Sequence, residues 1–393
     1  MSGESMMKQA ENTKKVVTHK LSKYQLVAGT MERFWVGFST VVRRMMIENG
    51  EKKNIKRKKH LIEKVTLTPE QKQEINSFFE SNYKKKMPYS WHRLYQSYTG
   101  TYRYNYFPEI LLSTKLEFLW NPYREADFLG DKNLLDPLFG TVPGVHIPKT
   151  FLSSVKGRIR AENLEMLDFG QACAKVANIG RCVIKKTTET NSGRDVALCD
   201  LQNGMDLKTG LSVDVLLAQF GKDFVVQEQI CQCDALSQLN ATSLNTFRVM
   251  TYILDGQIYH CPPALRLGRS NADKDNIHYG GICIGITEEG FLRESAFSEE
   301  GDAFVKHPDS QVIFSRYEIQ NFSKVIESAH ALHARVPYLG IISWDLSIDK
   351  DGTPVLIEMN TTRQSAWFCQ MVNGEPLFGE NTAKILQLIA KSR

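Results

Sequence analysis

"GIISWDLSIDKDGTPVLIEMNTT", Gly340 to Thr362, is the stretch on which the reading of the chain turns. Two apolar runs, "ISWDLSI" and "PVLIEMN", flank Asp349, Lys350, Asp351 and Gly352, a polar cluster suited to a tight hairpin turn. Pro354 is tolerated as the first residue of a strand. Side chains alternate along a strand, so Asp345 shares a face with Ser343 and Ser347, and Glu358 with Asn360. Pairing the two strands then gathers two carboxylates and an amide, hard oxygen donors of the kind that hold Mg²⁺ jointly with phosphate. A surface hairpin whose charges face water accounts for the same residues, and this stretch alone does not choose.

The whole chain narrows the choice. Its 393 residues, 42% hydrophobic and 24% charged, describe an ordinary soluble protein of two or three domains. No apolar run approaches the ~20 residues of a membrane-spanning helix. "FWVGFSTVV" stops at Arg43 and Arg44, and the polar front end shows no secretory pattern, so a cytoplasmic protein is expected. The eight cysteines are scattered, and the one close pair, Cys231 and Cys233, fits neither a zinc knuckle nor a thioredoxin-like site; buried thiols are expected. The net charge of +5 is concentrated ahead of Lys86. Its densest part, "EKKNIKRKKH" (Glu51 to His60), suits contact with an anionic membrane or a plain solvated face. No aromatic interleaves it and no nucleic-acid motif follows, so no nucleic-acid partner is expected.

Along the chain, "MERFWVGFSTVVRRMMIE" places Phe34, Phe38, Val41, Val42 and Met45 near helical spacing and predicts a helix over Met31 to Glu48 with one apolar stripe. "LTPEQKQEINSFFESNYKK" predicts a second, with Thr68 as N-cap, Pro69 at the first position, and Ile75, Phe78 and Phe79 inward. The aromatic "MPYSWHRLYQSYTGTYRYNYFPE" suits a sugar-binding wall or, as favoured here, structural cement. From about Leu111 short strands alternate with helices, which predicts α+β construction. "RCVIKKTTETNSGRDVALC" reads as strand, polar loop, strand; "KDFVVQEQI" reads as a buried strand; "TFRVMTYILDGQIYHCPPALRLG" reads as a hairpin turning at Asp255 and Gly256.

These pieces are parts for gripping a nucleoside triphosphate. Lys185 ends an apolar strand before a loop of small polar residues, so a cation and backbone N–H groups can face phosphate oxygens. "FVVQEQI" offers a strand edge to adenine, and Asp234 beyond it can accept from a ribose hydroxyl. Arg248 and Arg266 can direct guanidinium groups into the same cleft.

That order resembles the ATP-grasp superfamily, whose two α+β subdomains close on ATP. "TFRVMTYILDGQIYHCPPALRLGRSNADKDNIHYGG" is similar to the corresponding stretch of the ligases that add glutamate to ribosomal protein tails. Nearer still is the sugar-transfer-associated ATP-grasp family of cell-surface polysaccharide biosynthesis, matched by "DKNLLDPLF", "FVVQEQICQ", "SLNTFRVMTY", "DNIHYGGICIGI", "KHPDS" and "ISWDLSIDKDGTPVLIEMN". Charge, aromatic content and periodicity mark a basic, helical region over 1–110; the resemblance, which runs from about Leu67 to the C-terminus, implies ATP-grasp N-terminal and lid subdomains over 111–235 and a C-terminal subdomain with the metal site over 236–393. It implies that Lys132 and Lys185 hold ATP phosphates, that Gln227, Glu228, Gln229 and Ile230 form the adenine hinge, and that Asp234 meets the ribose. Asp345, Glu358 and Asn360 would ligate two Mg²⁺ ions, with Glu358 bridging. Arg266 would stabilise the transferring phosphoryl group, with Arg248 and Asn276 beside it. The loop "TTETNSGRDV" departs from the family in having only Gly193, and Lys186 stands where many members have Pro.

Members of the superfamily mostly join a carboxylate to an amine through an acyl phosphate. The expectation is therefore an ATP- and Mg²⁺-dependent ligase in capsular or O-antigen type polysaccharide assembly, acting on small or sugar-linked carboxylate and amine substrates. A sugar kinase on the same scaffold, or a non-catalytic nucleotide-binding partner of a glycosyltransferase, are the rivals.

Overall fold

In the protein's structure, a computed structural model, residues 23–187, 196–270, 275 and 277–392 are described, with side chains from Phe38 onward. The chain divides into two units, Met1–Lys52 and Lys53–Arg393. Helix α1 (Lys23–Arg57) takes in the helix expected over Met31 to Glu48 and extends it at both ends. Of its apolar stripe, Phe38, Val41 and Met45 are each more than half exposed, and the Phe34 side chain lies outside the described residues. The basic run that follows is not uniformly solvated either. Lys58 is buried, with Nζ 3.2 Å from Glu299 Oε1 and 4.3 Å from the centre of the Trp367 ring. Burial lowers the Lys58 pKa and Glu299 opposes that shift.

In the second unit, α2 (Pro69–Tyr83) begins as its sequence dictates. Thr68 Oγ1 accepts from the N–H of Gln71, whose side chain accepts from the N–H of Thr68, so two otherwise orphaned donors are satisfied. Ile75 and Phe79 are fully buried. Helix α3 (Ser90–Thr99) carries the aromatic segment inward. Tyr95 and Tyr106 are buried edge to face with ring centres 5.3 Å apart, so this segment is cement.

Two sheets follow. The first comprises β1 (Thr150–Val155), β2 (Arg158–Ala161), β3 (Met166–Leu167), β4 (Gly180–Lys186), β5 (Val196–Gln202), β6 (Met205–Asp206) and β7 (Phe224–Glu228), in the order β3-β2-β1-β7-β4-β5-β6. Helices α4 (Phe169–Val176) and α5 (Val213–Gln219) bury Ala172, Val176, Leu216 and Leu217 against Leu152, Ile184 and Val226. The second comprises β8 (Thr246–Leu254), β9 (Gln257–His260), β10 (Ala264–Leu267), β11 (Ile282–Ile286), β12 (Leu292–Phe297), β13 (Ala303–Phe304), β14 (Ile341–Ile348) and β15 (Pro354–Asn360). Its order is β13-β12-β11-β10-β8-β14-β15, with β9 paired to β8. Helix α6 (Phe322–Arg335) covers one face, and α7 (Trp367–Asn373) and α8 (Thr382–Lys391) join α2 and α3 on the other. Gln370 on α7 ties the layers together: its Nε2 donates to Phe107 O at 2.8 Å and its Oε1 accepts from Phe107 N at 2.9 Å.

The 340–362 stretch folds as the expected hairpin. Asp349 Oδ1 accepts from the N–H groups of Asp351 and Thr353, and Gly352 takes the positive φ (79°) that closes the turn. On β14, Ile342, Trp344, Leu346 and Ile348 enter the core and leave Ser343, Asp345 and Ser347 on the opposite face. On β15 strict alternation from the core residue Leu356 would bury Glu358. A bulge prevents this: Asp345 pairs with Glu358 but Leu346 pairs with Leu356, so Ile357 is extra. The phase therefore flips, Met359 enters the core, and Glu358 and Asn360 turn outward.

Candidate active site

Arg248, Asp345 and Glu358 stand directly opposite one another on the adjacent strands β8, β14 and β15, and so point to one face of the sheet. Ser343 and Asn360 form the next pair on that face. Asp345 is 3% exposed, a position where an uncompensated charge is untenable. Arg248 Nε lies 2.6 Å from its Oδ1, and Arg266, reaching from β10, brings Nη2 to 2.9 Å from Oδ2. Burial raises the Asp345 pKa, and the two guanidinium groups outweigh it and hold the carboxyl below its ordinary value. Arg266 also donates from Nε to Thr246 Oγ1 at 2.9 Å, and that hydroxyl donates to Asp275. Asp275 is the second anion beside Arg266, 3.6 Å from Nε; burial raises its pKa against the pull of that guanidinium.

Glu358 is differently placed. Its side chain is one-third exposed, and Oε1 lies 2.9 Å from Lys132 Nζ. Lys132 opens a short 3-10 turn, Lys132–Leu134, started by Asp131, whose side chain accepts from Asn133 N. Lys185, at the end of β4, feels both groups: burial and then the Lys132 ammonium push its pKa down to about 8, and Glu358 opposes them. The Lys132 ammonium meets this part-exposed carboxylate, and Lys185, from a different part of the chain, is near enough to feel both.

At the end of β7, Gln227 is buried and donates from Nε2 to Thr150 Oγ1 at 3.2 Å, so its side chain serves the sheet. Glu228 donates its N–H to Lys149 O at 2.9 Å, and its Oε1 accepts from Lys149 N at 2.7 Å. Gln229 Oε1 is buried without a hydrogen-bond partner among the described residues, and Ile230 follows it. Asp234 is exposed at the start of the short helix Asp234–Leu239. Asn276 and the loop around Gly193 lie outside the described residues.

Three participants escaped the sequence reading. Thr246 and Asp275 sit inside the motifs "SLNTFRVMTY" and "DNIHYGGICIGI" and were within reach of it. His146 was not: its ring lies 2.9 Å from Glu228 Oε1 and 3.0 Å from Asp349 Oδ2, partners 82 and 203 residues away.

The donor set fits a divalent cation shared with phosphate. Among the described residues no three His, Cys, Asp or Glu side chains gather as a metal cage. Two opposed carboxylates and one amide are hard oxygen donors, too few to enclose Mg²⁺ without a ligand's own oxygens, and Asp345 would have to share with the ion oxygens that Arg248 and Arg266 hold here. Ser343 Oγ, opposite Asn360, and Thr187 Oγ1, in the residue whose carbonyl accepts from Lys132 N, are buried without partners among the described residues. The site therefore retains unused polar atoms beside its cations.

The profile of the sugar-transfer associated ATP-grasp family matches residues 111–385. The chain belongs to that family. It adopts the ATP-grasp fold with a helical region in front, and every candidate residue from Lys132 to Asn360 lies inside the matched span. No curated protein matches this ATP-grasp chain. Similar solved structures include an L-amino acid ligase from Bacillus licheniformis, at 12% identity over 69% of this chain and 50% of that one, with a TM-score of 0.39. A biotin carboxylase from Campylobacter jejuni, solved as its β,γ-ATP complex, is similar at 14% identity over 68% and 47%, with a TM-score of 0.40. A carboxyaminoimidazole ribonucleotide synthase from Aspergillus clavatus, complexed with ATP, is similar at 10% identity over 63% and 48%, with a TM-score of 0.39. The chain spans about half the length of these structures. Among the described residues no helix is long and apolar enough to cross a membrane.

Proposed function

We propose that this ATP-grasp protein is an ATP-dependent ligase that joins a carboxylate to an amine in cell-surface polysaccharide assembly of capsular or O-antigen type. One observation carries the reading: the row Arg248, Asp345, Glu358 presents a neutralised carboxylate beside a part-exposed one, which the Lys132 ammonium meets with Lys185 near enough to feel both. The family's association with sugar transfer supports the polysaccharide setting.

In the first step a substrate carboxylate oxygen attacks the γ-phosphorus, the bond to the β-phosphate oxygen breaks, and ADP leaves. In the second an amine nitrogen attacks the acyl carbon, the carbon–oxygen bond to phosphate breaks, and the amine sheds a proton. Negative charge spreads over the phosphoryl oxygens in the first step, where Lys132, Lys185 and Arg266 supply positive charge fixed in advance. Mg²⁺, held by Asp345, Glu358 and Asn360, would add further neutralisation of that charge. Arg248 keeps Asp345 ionised and fixed, and the segment Gln227 to Ile230 presents the edge that reads adenine.

Hydroxylamine tests the intermediate. An acyl phosphate is a mixed anhydride that hydroxylamine intercepts, whereas a sugar phosphate ester is inert to it. With amino acids and uronic acids offered in turn, ADP release should depend on one of them and yield its hydroxamate. A sugar alcohol that drives ADP release and gains phosphate, with no hydroxamate from any carboxylate, replaces the ligase by a kinase.

A second reading concerns the front of the chain, which we propose makes peripheral contact with an anionic membrane. Phe38, Val41, Val42, Met45 and Met46 are exposed on α1 at helical spacing, and Lys52, Lys53, Lys56 and Arg57, also exposed, follow on the same helix. Apolar residues followed by cations suit insertion beside acidic headgroups.

A further inference from the structure

His146 lies in the connection leading into β1 and touches three parts of the molecule. Its backbone joins β15: its N–H donates to Pro354 O at 2.8 Å, and its carbonyl accepts from Leu356 N at 3.0 Å, two residues before Glu358. Its ring spans the other two. Nδ1 lies 3.0 Å from Asp349 Oδ2 in the turn between β14 and β15, and Nε2 lies 2.9 Å from Glu228 Oε1 at the end of β7. Both carboxylates are anchored in turn, Asp349 by the N–H groups of Asp351 and Thr353 and Glu228 by that of Lys149.

An ionised carboxylate only accepts, and a neutral imidazole has one N–H to give. Both ring contacts are hydrogen bonds together only in the imidazolium form. The remaining charges on the elements around the ring are Lys149, whose Nζ lies 3.0 Å from Glu162, and Lys350 and Asp351 in the turn; Pro354 to Leu356 bring none. Burial lowers the His146 pKa, and the hydrogen bonds and charges of Glu228 and Asp349 outweigh it and leave it above its ordinary value.

We infer that His146, as an imidazolium, is a positioning residue that fastens the adenine hinge at Glu228 to the hairpin bearing Glu358 and Asn360. The inference rests on the nucleotide reading above and extends it to a residue that touches no reacting atom. The clasp is complete below the ordinary imidazole pKa and is lost as pH rises through the raised one. A nucleotide that prefers the clasped hinge must, by linkage, raise the His146 pKa further.

The test uses the full chain. NMR titration of the His146 ring, assigned by its loss in His146→Gln, should give a pKa above the ~6.5 of a free imidazole, rising again with Mg-ADP. Between pH 6.5 and 9 the wild-type Kd for ADP should rise at least fivefold more than that of His146→Gln, and the variant should bind more weakly at pH 6.5. The comparison cancels titration of the ADP phosphates and of Lys185. A ring that titrates at its ordinary value, or a variant with wild-type affinity and slope, overturns the clasp while leaving the nucleotide reading intact. A wild-type chain that binds no ADP at any pH overturns that reading, and the clasp with it. Should His146→Gln fold poorly, Glu228→Gln decides the matter through the ring itself, which must then titrate lower.

Discussion

Asp345 and Glu358 face each other across one rung of the β14–β15 ladder, yet their surroundings are opposite. Asp345 is enclosed by two guanidinium groups, and Glu358 is one-third exposed beside an ammonium. Two carboxylates in unlike environments take unlike roles. Asp345 is held in place by Arg248 and Arg266, and Glu358 is the more open of the two to an incoming ligand.

Glu358→Gln keeps the shape of the rung and removes that reachable charge. Carboxylate-dependent ADP release should fall at least a hundredfold while the circular dichroism spectrum stays that of wild type. Undiminished release would take Glu358 out of the mechanism.

Arg248→Met leaves a buried carboxylate with one of its two cations. Breaking a buried pair from one side costs about 3–5 kcal/mol, readable as a lower denaturant midpoint with an unchanged slope. The loss should shrink in acid. The Asp345 pKa is lowered by folding, so its contribution is present above the unfolded value of about 3.9 and disappears as pH falls through the folded one. A penalty that does not shrink as the pH falls argues for lost packing against Phe368, over which the guanidinium lies at 5.5 Å.

Lys185 gives a prediction of two signs. Its ammonium discharges as pH rises through about 8, so affinity for Mg-ATP should decline across that pH. The unfolded chain keeps this proton to about 10.4, so from Lys185 alone folding stability rises with pH between those values, and below them the half-buried ammonium is a burden. Lys185→Met should therefore raise the melting temperature of the unliganded protein at pH 7 and weaken nucleotide binding. Movement of both in the same direction would contradict the assignment.

A ligand that binds only the folded state stabilises it by RT ln(1 + [L]/Kd), about 2.7 kcal/mol at a hundred times Kd. Mg-ATP should raise the melting temperature more than Mg-GTP if Gln227 to Ile230 read the adenine edge. Equal shifts would remove that segment from base recognition.

For the front helix, vesicles containing acidic lipid should sediment the protein at low salt and release it partially as ionic strength rises, because the apolar residues are not screened. Replacing Phe38, Val41 and Met45 by Ser should abolish the salt-resistant part. Equal sedimentation with neutral vesicles, or none with acidic ones, would return this face to plain solvent.

Much of the arrangement was legible because its signals are local. The turn at Asp349 to Gly352 shows in its polar composition, the cap at Thr68 in its spacing from Gln71, and the hairpin at Asp255 and Gly256 in two residues that both take positive φ. Alternation placed Asp345 correctly on β14. It placed Glu358 correctly only because the bulge at Ile357 cancels the conflict with Leu356, and nothing in "PVLIEMN" announces a bulge. The stripe on α1 was readable as apolar but not as exposed, since periodicity reports which residues share a side and not what covers it. Lys58, indistinguishable from its basic neighbours in sequence, is set apart by Glu299, 241 residues on. His146 belongs with it: both depend on contacts that close long loops.

The double hydrogen bond between Gln370 and Phe107 has a consequence for how the chain is made. Leu61, Phe79, Tyr95 and Phe107 share one core with Trp367, Phe368, Leu386 and Ile389, yet Gln370 is synthesised 263 residues after Phe107. At ribosomal rates of ~5–20 residues per second that interval is roughly 13 to 50 s. Throughout it the front helices carry apolar faces whose cover does not yet exist. They form a surface for chaperones, or for a neighbouring nascent chain, until α7 and α8 emerge and close the layer.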